Sequence, residues 1–66
     1  MIRWEPAPYK PEDRIADVKS GRLHVKRSRK GARTFDGYFN GCFLGCWDTR
    51  DMAMSKVATM FVRGDI

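Results

Sequence analysis

Apolar and polar residues alternate along three stretches of this chain, after which the spacing becomes helical. In RLHVKRS, residues 22–28, Leu23 and Val25 point one way and His24 and Lys26 the other, as in a half-buried strand. RTFDGYF, residues 33–39, and CFLGCW, residues 42–47, follow, separated by Asn40-Gly41. Both residues of that pair tolerate positive φ, so the stretch predicts a hairpin closed by a type I′ turn. The turn sets a register in which Phe39 faces Cys42, Tyr38 faces Phe43, Gly37 faces Leu44, Phe35 faces Cys46 and Thr34 faces Trp47. One face then carries Phe35, Gly37, Phe39, Cys42, Leu44 and Cys46, nearly all apolar, and is the expected core side. The opposite face carries Thr34, Asp36, Tyr38, Phe43, Gly45 and Trp47, a mixed set on which function is expected.

Residues 50–62 place Ala53, Val57, Met60 and Phe61 on one stripe, with Met54 and Ala58 beside it. Asp48 or Thr49 is positioned to cap this helix, Asp51 adds charge to its first turn, and Gly64 is the expected terminator. The helix should cover the apolar face of the sheet. Upstream, MIRWEPAPYKPEDR contains Pro6, Pro8 and Pro11, each lacking a backbone donor. Residues 1–14 therefore read as an extended arm anchored by Trp4 and Tyr9, on the body or on a partner. IADV, residues 15–18, fits either a strand or the end of a short helix before Ser20-Gly21 turns the chain. The expected architecture is α+β: a three-stranded antiparallel sheet packed against one C-terminal helix, with residues 15–66 forming a single β-β-β-α domain.

Composition narrows the function classes. Sixty-six residues allow one domain with a modest core, and an apolar fraction of 42% excludes wholesale disorder. Thirteen Lys and Arg against 8 Asp and Glu give a net charge of +5 and point to a polyanionic partner. The cations concentrate around Gly31, where Lys26, Arg27, Arg29, Lys30 and Arg33 fall within one turn and its flanks. No secretory leader pattern opens the sequence, and no run approaches the roughly 20 apolar residues of a membrane span. A cytoplasmic, reducing compartment without membrane attachment is expected, in line with two free cysteines.

Those cysteines, Cys42 and Cys46, are four apart on one strand, hence about 13 Å apart at about 3.3 Å per residue. A disulfide needs Cα atoms within about 7 Å. One zinc ion cannot take both from a straight strand, and His24 is the only histidine. Both are expected to be small buried hydrophobes, with no metal and no cofactor. No serine is placed to work with His24 and no glycine-rich phosphate loop is present, so no enzymatic activity is expected.

The segment GYFNGCFLGCWDTRDMAMSKVATMF, residues 37–61, resembles the last two strands and helix of the DNA-binding domains of the plant ethylene-response-factor (AP2) type. Phe43-Leu44-Gly45, Trp47-Asp48-Thr49 and the Ala53 helix carry the resemblance, and the arm-binding domains of tyrosine integrases resemble the same sheet and helix. The resemblance implies that the outer sheet face enters the DNA major groove through His24, Lys26, Tyr38 and Phe43. Arg22, Arg27, Arg29, Lys30 and Arg33 would support it. The family's strands usually carry arginine or another polar group where this chain has Tyr38 and Phe43, and Asp36 adds a negative charge. The expected contact is therefore largely with phosphate, which positions a protein without reading sequence.

Two functions follow. The leading one is a small basic module that binds nucleic acid, duplex DNA foremost with RNA left open, through the basic turn and the outer face; stacking of Tyr38 and Phe43 on bases would instead favour a single-stranded or distorted target. The other is an inhibitor or adaptor of phage or mobile-element type that docks on a host protein or nucleoprotein complex, such as an RNA-guided nuclease. Trp4, Tyr9, Tyr38 and Phe43 would be its anchors. An exposed edge at residues 22–28 would also offer pairing to a second copy.

Overall fold

Tight turns at 8–9, 19–20 and 40–41 and a longer loop at 28–34 join every strand to the next, so neighbours in sequence become neighbours in the sheet. The computed structural model describes residues 2–66. It contains β1 (Glu5–Ala7), β2 (Lys10–Val18), β3 (Gly21–Arg27), β4 (Phe35–Phe39), β5 (Cys42–Trp47) and α1 (Arg50–Arg63). The five strands form one antiparallel sheet in the order β1-β2-β3-β4-β5, and α1 lies across β3, β4 and β5.

The α+β class with a single C-terminal helix stands, but the sheet has five strands rather than three. Both additional strands come from the proline-containing segment and from residues 15–18. The prolines are accommodated where no donor is needed. Pro6 lies on the edge strand β1 and Pro8 in the β1–β2 turn. Pro11 falls where the β1–β2 ladder jumps from Arg14 to Lys10 and before the β2–β3 ladder begins at Arg14. Residues 5–7 and 10–14 are thus part of the sheet, not an arm beside it. With β3 at the centre, residues 22–28 are not a free edge; the edges belong to β1 and β5.

The Asn40-Gly41 turn forms as expected, with φ of 50° and 85°. It also reaches across the sheet. Asn40 Oδ1 accepts from Arg22 N at 2.9 Å and its Nδ2 donates to Ser20 O at 3.2 Å, tying the β4–β5 turn to the β2–β3 turn. A Cβ on Gly21 would lie 2.0 Å from Asn40 Oδ1, so the two turns fit only because Gly21 has no side chain.

The expected register holds for Phe39↔Cys42 and Tyr38↔Phe43 and then slips, giving Gly37↔Gly45, Asp36↔Cys46 and Phe35↔Trp47. One extra residue on β5, Leu44, is absorbed by a bulge. The slip moves Trp47 from the outer face to the helix face and moves Cys46 outward. Burial explains the exchange, because an indole removes far more apolar surface from water than a thiol. Cys42 and Cys46 are both exposed, which corrects the expectation that they line the core. The paired glycines make room for the change. A Cβ at Gly37 would meet Val57 Cγ2 at 2.4 Å, and one at Gly45 would meet the Trp47 ring at 2.8 Å.

Ala16, Leu23, Val25, Ala53 and Val57 form the buried cluster, with Trp4, Phe35, Phe39, Leu44, Trp47, Met54 and Phe61 packed around it. The helix starts at Thr49, whose side chain accepts from Met52 N at 3.0 Å. It stops at Gly64 in the left-handed conformation, where Asp65 N donates to Met60 O at 2.9 Å. All of this lies on one side of the sheet. The other side has no covering layer, as antiparallel sheets permit.

Candidate nucleic-acid interface

The uncovered face and the loop at 28–34 meet at one end of the molecule. The loop is built rather than slack. Ser28 N donates to Thr34 O at 2.9 Å, Ala32 N to Arg29 O at 3.0 Å, and Gly31 takes a φ of 80° at the tip. Ser28 Oγ bonds Thr34 Oγ1 at 2.8 Å and donates to Asp36 Oδ1 at 2.7 Å, closing the base of the loop. Arg27 is part of this frame: it donates to Ala32 O, packs its guanidinium 4.9 Å from the Phe35 ring centre, and lies 3.9 Å from Glu12.

Against this loop lies the start of β2. Together they line a cleft of about 690 Å³ formed by Lys10, Pro11, Glu12, Lys26, Arg27, Ser28, Arg29, Lys30 and Gly31. Five of these residues are cationic and one, Glu12, is acidic. Glu12 sits between Lys10, at 3.8 Å, and Arg27. Arg29 and Lys30 are exposed and make no ion pair among the described residues. Lys10 was not among the residues singled out from the sequence. Its segment read as an arm, and only the pairing of β2 with β3 brings it to the basic loop.

The remaining basic residues divide. Lys26 belongs to the cleft and also to the open face, its Nζ standing 5.2 Å from the Tyr38 ring centre. Arg33 is exposed on the loop but does not line the cleft. Arg22 lies at the opposite end of β3, roughly 17 Å along the strand from Arg27 at about 3.3 Å per residue. There its Nε donates to Asp17 at 2.7 Å, and that hydrogen bond raises its pKa further above the ordinary arginine value. It takes no part in the cleft.

Ile15, His24, Tyr38 and Phe43 form a cross-strand row on the open face. Tyr9, from the β1–β2 turn, stands edge-on to His24 with ring centres 6.3 Å apart. His24 to Tyr38 is 6.3 Å and Tyr38 to Phe43 is 5.7 Å. Tyr9 and Phe43 are the exposed ends of this row, at 66% and 60% of full exposure. Partial burial, with Asp36 beside it, pushes the Tyr38 hydroxyl above the usual tyrosine range, so it remains a neutral donor, reaching Asp36 at 3.4 Å. Trp4 is not on this face; it packs against the core on the helix side.

His24 is fixed from below. Its Nε2 donates to Asp13 Oδ2 at 3.1 Å, and Asp13 is buried at 2% exposure. The second oxygen, Oδ1, has no hydrogen-bond partner among the described residues. This pairing joins two residues eleven positions apart on adjacent strands, and β2 had to be recognised before it became legible. Among the described residues no group of three or more His, Cys, Asp and Glu side chains is arranged to hold a metal ion, and α1 is neither long nor apolar enough to cross a membrane. The chain matches no protein-family model, no curated protein and no solved structure, so the assignment of roles rests on this geometry.

Proposed function

We propose that the chain is a small nucleic-acid-binding module that holds a phosphate backbone in the cleft between β2 and the loop at 28–34. The observation carrying this reading is the convergence of five cationic side chains from two separate segments on one concave surface with a single acid among them. Phosphates displace condensed counterions when they meet such a surface, and the released ions supply affinity without regard to sequence. The framework of Arg27, Ser28, Thr34 and Asp36 supports the same reading, since it holds the loop in shape and leaves Arg29 and Lys30 free to contact a ligand.

The test is a titration of labelled random-sequence oligonucleotides by fluorescence anisotropy at about 50 and about 200 mM salt. Binding should weaken steeply as salt rises. The double substitution Arg29→Ala, Lys30→Ala should weaken it across all sequences and lower the log–log salt slope by roughly 1.4 to 1.8, at about 0.7 to 0.9 per lost phosphate contact. Unchanged affinity in the double variant would remove the cleft from the site. Absence of binding at both salts would turn the aromatic face into the better candidate for docking a protein.

A further inference from the structure

We infer that the open face takes single-stranded nucleic acid in preference to duplex, seating bases against Tyr38 and Phe43 while the backbone runs into the cationic cleft. This rests on the nucleic-acid reading above and departs from the duplex target expected from the sequence. Three observations carry it.

Spacing is the first. Neighbouring ring centres in the row are 5.7 to 6.3 Å apart. Nucleotides along one strand of a duplex rise only about 3.4 Å each. A strand that contacts two neighbouring rings must therefore be stretched and unstacked, which a single strand allows at small cost and a duplex does not.

The second is the chemistry of the face. Reading a duplex through its grooves needs side chains that hydrogen-bond base edges, arginine above all. Among the described residues, the strand register puts one arginine on this face, Arg22, and it is already engaged by Asp17 at 2.7 Å. What the face presents instead is aromatic rings, which recognise the π-faces of bases, and those faces are accessible only when the bases are unstacked. Phe43 packs edge-on against Tyr38 and still leaves 60% of its surface exposed to a ligand.

The third is continuity. Lys26 lines the cleft and also stands over Tyr38, and a smaller depression of about 230 Å³ bordered by His24, Lys26, Tyr38 and Gly41 extends along the row. A chain with phosphates in the cleft passes Lys26 and arrives at the rings. Alternating charge and aromatic surface of this kind is how single strands are held without sequence preference.

Anisotropy titrations of the full chain with oligo-dT, oligo-rU and a mixed-sequence duplex of equal length, at one salt concentration, test this. Either single strand should bind at least tenfold tighter than the duplex. Phe43→Ala should weaken single-strand binding about tenfold while leaving duplex binding and the salt slope unaltered. Tyr38→Leu, which keeps an apolar side chain in the row but removes the ring, should do the same. Circular dichroism of each variant separates lost binding from lost structure, and the exposure of Phe43 makes that variant the safer one. Equal affinity for single strand and duplex, with Phe43→Ala neutral, overturns the inference and leaves the cleft reading intact. No binding of any oligonucleotide overturns both.

Discussion

Among the described residues the most deeply buried polar side chain is Asp13, a carboxylate with 2% exposure whose one hydrogen bond there comes from His24. A buried polar group that loses its partner retains the full cost of having left water. His24→Ala should therefore destabilise the fold by about 1–3 kcal/mol, through the unpaired acid as well as through lost packing. Asp13→Ala made in the His24→Ala background should recover part of that loss, because the unpaired acid disappears with it. Urea unfolding of the two single variants and the double variant gives the coupling directly. If the two effects simply add, His24 is only a packing residue and the aromatic row is not anchored through it. The same pair shows where reading by residue reaches its limit. His24 was identifiable as a face residue from the alternation of RLHVKRS, but its partner lay in a stretch whose prolines concealed a strand.

At the scale of elements, what was legible depended on how local the determining signal is. Thr49 and Gly64 fix the ends of α1 through their own backbone neighbours, and Asn40-Gly41 fixes its turn through positive φ, so all three were readable in place. The cationic loop was readable too, being contiguous in sequence. The register beyond Tyr38 was not, because it is decided by which large side chain gains more from covering Val57 and the glycine pair. Trp47 prevails over Cys46 only once α1 is present to pack against. The glycine pair makes this testable. Gly37→Ala places a methyl where Val57 Cγ2 already stands, and overpacking of this kind costs about 1–3 kcal/mol. In a domain of this size that should lower Tm by about 4–8 °C for each kcal/mol. Val57→Ala combined with Gly37→Ala should cost less than the sum of the two single changes, since the smaller side chain leaves room for the new methyl. An unaltered Tm in Gly37→Ala would mean that β4 does not approach the helix as closely as the bulged register requires.

For the whole molecule, the decisive feature is how little core supports a sheet that has a helix on only one face. The buried apolar set is Ala7, Ile15, Ala16, Leu23, Val25, Ala53 and Val57, and the first three of these come from β1 and β2. A chain of this length has total stability on the order of 3–10 kcal/mol, so strands 1 and 2 belong to the cooperative unit. Removing residues 1–9 tests this against the alternative of a dispensable arm. The shortened chain loses the buried Ala7 and, from the helix side of the sheet, the Trp4 indole, and it turns β2 into an unprotected edge. Losing the partly buried Trp4 side chain together with Ala7 and the β1–β2 pairing removes a large share of a stability this small, so the truncated chain should lack near-ultraviolet circular dichroism at 25 °C and show no cooperative thermal transition. The consequence for binding follows from the same geometry. Lys10 enters the cleft, Asp13 holds His24, and Tyr9 extends the aromatic row only while β1 and β2 are paired, so truncation should abolish oligonucleotide binding although every residue of the basic loop is still present. A truncated chain that stayed folded and bound with undiminished affinity would return the site to the loop alone, and the five-stranded sheet would then be scaffold without a part in recognition.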